Sequence, residues 1–145
     1  MGCSVNETLH YVIFLARHVQ RGDIPRGTKT LLIELGFLRG SEGFVHTKKA
    51  ICLKSENDDL RLNTIYTLVG ESYDPKCEER QIYGGIRRAI DTAWAIRDQK
   101  KWGHFFTEDR VWDNYKPSNA DFVFTLGCIM DLWAHCKEEA YDEIK

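Results

Sequence analysis

Apolar residues recur at three- and four-residue spacings along almost the whole chain, the pattern of helices that each bury one face. Asn6, Glu7 and Thr8 can cap a first helix in which Leu9, Val12, Ile13, Ala16 and Val19 share a side. Gly22 stops it, and Gly22 to Gly27, with Pro25 inside, reads as a linker. A short helix is predicted from Thr28 to about Leu35, ended by Gly36. Ser41-Glu42-Gly43 opens the next, with Phe44, Thr47 and Ile51 on one side, and the polar stretch Lys54 to Asp59 reads as a loop. A further helix over about Leu60 to Tyr73 would bury Leu62, Ile65, Tyr66 and Val69. Asp74-Pro75 breaks it, because the residue before a proline is pushed out of the helical region. The longest helix follows, from about Cys77 to Arg97, with Ile82, Ile86, Ala89, Ile90, Ala93 and Trp94 as its inner stripe. Residues 98 to 117 are less regular and rich in aromatics, and Trp102, Phe105 and Phe106 read as a seal on the core, with Trp112 and Tyr115 beyond them. Ser118 or Asn119 then caps a last helix whose Phe122, Leu126, Ile129 and Trp133 face inward. No strand pair or internal repeat interrupts the pattern. The expected class is all-α, with about six to seven helices.

A length of 145 residues fits one core, and 43% hydrophobic with 29% charged residues is ordinary for a globular chain. The expected organisation is an N-terminal helix and linker over 1–27, a main domain over 28–136 and an acidic tail over 137–145. Twenty basic against twenty-two acidic residues give a net charge of −2, so any nucleic-acid binding must rest on a local patch. The longest apolar run, Tyr11 to Ala16, falls far short of the roughly 20 residues that span a bilayer, and Met1 to Asn6 lacks a signal peptide's basic start. A soluble, cytoplasmic chain without membrane contact is expected. Five cysteines with no C-x-x-C spacing (Cys3, Cys52, Cys77, Cys128, Cys136) signal reduced thiols rather than a disulfide framework or zinc knuckle.

Catalytic motifs are missing. There is no phosphate-binding or dinucleotide-binding glycine loop, no H-E-x-x-H and no nucleophile elbow. The five histidines are scattered, and His135 and Cys136 are helix neighbours pointing about 100° apart, which does not suit one metal ion. Asp58-Asp59 lies in a polar stretch with no apolar surroundings to raise a pKa. No enzyme, cofactor or metal is expected.

The informative unit is the pair of helices around Tyr73-Asp74-Pro75-Lys76, which reads as a helix-turn-helix. From Lys76 to Lys101 there are seven basic residues (Lys76, Arg80, Arg87, Arg88, Arg97, Lys100, Lys101) against four acidic ones. Such a cluster suits phosphates, since each neutralised phosphate releases a condensed counterion. The same arginines would equally form the solvated face of an amphipathic helix.

Ile86-Arg87-Arg88-Ala89-Ile90-Asp91-Thr92-Ala93-Trp94 resembles the A-I-R-H-A-I-E-V-A-W stretch of the DNA-binding effector domain of the master sporulation response regulator of endospore-forming bacteria. Lys116-Pro117-Ser118-Asn119-Ala120-Asp121-Phe122 is similar to that domain's K-P-T-N-S-E-F, and Leu32 to Gly36, Gly43-Phe44 and Ala50-Ile51 echo its opening positions. The resemblance covers roughly Thr30 to Trp133. It implies an all-α domain around a helix-turn-helix that binds duplex DNA, often in tandem, to regulate transcription. It also implies that Cys77 to Trp94 is the recognition helix, with Arg87 and Arg88 on its groove or phosphate side and Arg80 and Gln81 near base edges.

Three departures bear on that expectation. The 29 residues before Thr30 are too short for a receiver domain, so a phosphorylation switch is not expected. Where the family has R-V-E-R-A, this chain has Gln81-Ile82-Tyr83-Gly84-Gly85, and each glycine costs a helix interior about 1 kcal/mol relative to alanine. Glu71, Asp74, Glu78 and Glu79 make the approach to the helix acidic, which opposes phosphates. The leading reading is a sequence-specific duplex-DNA-binding regulator acting as a dimer or tandem pair. Its DNA-facing residues are Arg80, Gln81, Tyr83, Arg87 and Arg88, with Lys100 and Lys101 on the backbone. The alternative is a protein-binding module of the same fold, with Tyr83 as an aromatic anchor. An example would be a phage or mobile-element inhibitor of a host regulator or of a nucleic-acid-targeting defence complex.

Overall fold

A computed structural model describes residues 23–106 and 116–135. They form six helices: α1 (Ile24–Glu34), α2 (Glu42–Glu56), α3 (Leu62–Glu71), α4 (Glu79–Ala95), the short α5 (Gln99–Gly103) and α6 (Asn119–His135). Among the described residues there is no strand. The expected first helix over Asn6 to Val19, the aromatics Trp112 and Tyr115, and the acidic tail lie outside the described residues.

α1 starts four residues earlier than its apolar pattern suggests, so the stretch read as linker is helical from Ile24 onward. The reason is local. Asp23 caps the helix by accepting the Arg26 N–H at 3.1 Å, and Pro25 sits in the first turn, where its missing N–H costs nothing. At its other end α2 runs through Glu56, absorbing half of the expected loop.

α2 is the central helix, packed against α6, α4, α1 and α3. Being surrounded on several sides, it shows no simple apolar stripe, and it buries His46, Thr47 and Ser55 beside Phe44, Ala50 and Ile51. Two of the buried hydroxyls are satisfied within the helix: Thr47 donates to the Gly43 carbonyl at 2.6 Å and Ser55 to the Cys52 carbonyl at 2.7 Å.

The aromatic stretch after α4 does seal the core. Trp102, Phe105 and Phe106 are buried. Trp102 meets Trp94 edge-on at 5.4 Å, and Phe106 stacks on Phe122 at 5.7 Å. The Trp102 indole N–H donates to the Leu35 carbonyl at 3.0 Å, fastening α5 to the end of α1. α6 buries Phe122, Val123, Leu126, Ile129, Met130 and Trp133, and the Ser118 hydroxyl caps it by accepting the Asp121 N–H. Among the described residues, Cys52, Cys77 and Cys128 are free thiols, and no three potential ligands cluster to hold a metal ion.

Candidate nucleic-acid interface

α3, the connection Ser72 to Glu78, and α4 form the helix-turn-helix unit. Gly70 sets its turn: its carbonyl accepts the Cys77 N–H at 3.0 Å, and a Cβ there would lie 2.2 Å from the Cys77 carbonyl oxygen. Ile65, Val69 and Ile82 bury the inner faces, and the Thr67 hydroxyl donates to the Glu79 carboxylate across the two helices. The acidic approach therefore has a structural use. Glu79 ties α3 to α4, and Glu78 and Gln81 form a capping box in which the Gln81 Oε1 accepts the Glu78 N–H at 2.7 Å.

α4 shows one side to solvent. At about 100° per residue, Arg80, Gly84, Asp91 and Ala95 run along the middle of that side. Tyr83 and Arg87 flank it towards α6, and Gln81, Arg88 and Thr92 flank it towards α2. Arg80 is extended into solvent, its side chain 87% exposed, with the Glu78 carboxylate 3.0 Å from its Nε. Arg88 is also exposed and makes no ion pair with a described residue. Between α2 and the start of α4 lies a cleft of about 590 Å³, with Arg80, Gln81 and Arg88 on one wall and Glu42, His46 and Tyr73 opposite.

Arg87, expected on the groove or phosphate side, is committed to the protein. Its side chain is 23% exposed; Nη1 donates to the Pro117 carbonyl at 3.1 Å, and Nε donates to Asp91 at 3.1 Å. Lys116 completes the clasp, its Nζ 2.7 Å from Asp91. Burial alone would raise the Asp91 carboxyl, but the Lys116 hydrogen bond and the Arg87 guanidinium outweigh it and hold the pKa below its usual value. Lys101 is likewise occupied, its Nζ 2.6 Å from Glu34, whereas Lys100 is exposed at the start of α5. Tyr83 is half exposed and meets Tyr66 edge-on at 6.0 Å.

The Lys116-Pro117-Ser118-Asn119 motif, legible in sequence as a helix start and as part of the family resemblance, is a second fastening of α4. Buried Asn119 donates through Nδ2 to the Tyr66 hydroxyl and to the Tyr83 carbonyl, both at 3.2 Å, joining α3, α4 and α6. Nothing in the spacing of these residues announced that contact.

The two glycines of α4 differ in kind. Gly85 is buried where α2 crosses: a Cβ there would lie 2.6 Å from His46 Cδ2, and one on Gly43 would lie 2.6 Å from the Gly85 carbonyl oxygen. This glycine serves helix packing. Gly84 lies on the open side.

An all-α domain fastened around a helix-turn-helix, with an arginine-bearing helix presented to solvent, has the architecture of a helix-turn-helix domain. A family model described as "Sporulation initiation factor Spo0A C terminal" matches residues 28–129, most of the chain, and the chain belongs to that family, the DNA-binding domain of a sporulation regulator. No curated protein and no solved structure matches the chain. Among the described residues no helix is long and apolar enough to cross a membrane.

Proposed function

We propose that this chain is a transcription regulator that binds duplex DNA sequence-specifically by laying α4 in the major groove. On this reading Arg80, Gln81 and Arg88 face base edges, and Tyr83 flanks them. Lys100 meets the phosphate backbone. Arg87 and Lys101 are positioning residues, the first holding α4 against α6 and the second holding α5 against α1. The observation that carries the reading is the exposed face of α4, where Arg80 extends into solvent and Arg88 lies exposed along the surface of a helix fastened on both flanks. An arginine fork pairs bidentately with guanine, the commonest specific contact in the major groove.

The test is fluorescence anisotropy of labelled duplex DNA with the 145-residue chain, titrated from about 50 to about 200 mM salt. Affinity is expected to fall steeply with salt. Arg80→Ala and Arg88→Ala should each weaken binding, and Lys100→Ala should lower the salt slope by about one. Arg87→Ala should leave the slope unchanged. Absence of binding at the lowest salt would overturn the reading and turn attention to a protein partner for the same face.

A further inference from the structure

The middle of a recognition helix is where a side chain reads bases, yet residue 84 has none. We infer that Gly84 is a specificity-determining position: its bare backbone is the seat on which the Arg88 guanidinium lies, and this seat sets where Arg88 meets the groove. The inference rests on the DNA-binding reading above and deepens it.

Three observations support it. First, Gly84 lies in the centre of the solvent-facing stripe of α4, between Arg80 and Asp91, so no tertiary contact requires a glycine there. A Cβ at Gly84 would touch nothing but the end of one side chain: Arg88 Nη1 at 3.0 Å, Cζ at 3.8 Å and Nη2 at 3.9 Å. The guanidinium is therefore folded back along its own helix onto residue 84. Second, Arg88 is not held there by a carboxylate. Arg80 is paired with Glu78, Arg87 with Asp91 and Lys101 with Glu34, whereas Arg88 forms no ion pair with a described residue. Its donors remain available to a ligand. Third, Arg88 lines both clefts between α2 and α4, of about 220 and about 590 Å³, so it separates them at the edge of the exposed face. A side chain at residue 84 would push the guanidinium outward or over one of these clefts.

Helix propensity works in the opposite direction. Any alanine or leucine at an exposed helix interior is favoured over glycine. The position thus forgoes helix stability while giving Arg88 its seat, and the two effects separate in experiment.

The test uses the 145-residue chain. A binding site is first selected from a randomised duplex pool with the unmodified protein. Gly84→Ala, Gly84→Leu, Arg88→Ala and the Gly84→Leu/Arg88→Ala double variant are then measured on the selected duplex and on a mixed-sequence duplex. Gly84→Leu should lose at least about ten-fold on the selected duplex, the size of one displaced arginine–guanine contact, with little loss on the mixed one. Gly84→Ala should fall between. In the Arg88→Ala background the leucine should cost nothing further, and neither single Gly84 variant should melt below the unmodified chain.

Several results would overturn the inference. Unchanged affinity of Gly84→Leu on the selected duplex is one. An equal leucine penalty with and without Arg88 is another, since residue 84 would then act through its own bulk. Arg88→Ala binding as the unmodified chain while Arg80→Ala weakens would overturn it and leave the DNA-binding reading standing. A pool that yields no common sequence, or no duplex binding by any variant, would remove that reading and the inference together.

Discussion

His46 sits at the floor of the larger cleft, 7% exposed, with its Nδ1 2.6 Å from the Tyr73 hydroxyl and its ring against Gly85. Burial lowers its pKa, Glu42 partly counters this, and Lys49 and Arg88 add to the lowering. Tyr73, also desolvated, is pushed up to about 12 and stays a neutral hydroxyl. A histidine whose folded pKa is below its ordinary value folds best as the neutral ring. Its contribution is complete above about pH 6.5 and shrinks as pH falls below that value, because the unfolded chain then binds the proton more readily. The chain should melt at lower temperature at pH 5 than at pH 7.5, and His46→Gln should narrow that difference. An equal pH dependence in the variant would assign it to other groups. Sequence offered His46 only as one of five scattered histidines. Burial and the Tyr73 contact come from chain segments 27 residues apart.

Helix pairs in this molecule approach closely where side chains vanish, and α2 and α4 are the clearest case. Gly43→Ala would drive a methyl to 2.6 Å from a backbone oxygen of α4 and 2.8 Å from the Ala89 Cβ. No rotamer relieves a clash with main chain, so the helices must separate, at a cost of about 1–3 kcal/mol readable in urea unfolding. The flank of α4 towards α6 is held instead by polar groups. Arg87→Ala should strip the buried Pro117 carbonyl of its donor and leave Asp91 with Lys116 alone. With Asp91 partly exposed and screened, the loss is expected at about 1–2 kcal/mol. The longer helices were legible from their periodicity, from Asp74-Pro75 and from Ser118-Asn119, whereas the five-residue α5, capped by Asp98 within a stretch read as irregular, was not. Their edges moved where caps or neighbours intervened, as at Asp23 and at the end of α2. The contacts of Arg87 were not legible, because a basic residue next to the helix's inner stripe looks the same in sequence whether its partner is a phosphate or a carbonyl 30 residues away.

Taken as a whole, the molecule is nearly neutral, with a charge of −2, so long-range attraction to DNA cannot come from its overall field. It must come from the few cations that tertiary pairing leaves available. Arg87, Lys101 and Lys116 are each within ion-pair distance of a carboxylate, and Arg80 shares Glu78. The salt slope of duplex binding should therefore be shallower than the seven basic residues between Lys76 and Lys101 suggest. A slope of about seven or more would mean that these internal pairs open on DNA.

The all-α class, the core stripes of the long helices and the family were all legible in the sequence. Apolar spacing, prolines, caps and two ordered motifs are local properties of the chain. Which arginines face outward, why Gly85 is glycine, and what Asn119 and Pro117 hold were not. Each of those depends on a partner brought near by packing, and a side chain's role changes when the group beside it is a carbonyl or a carboxylate rather than water.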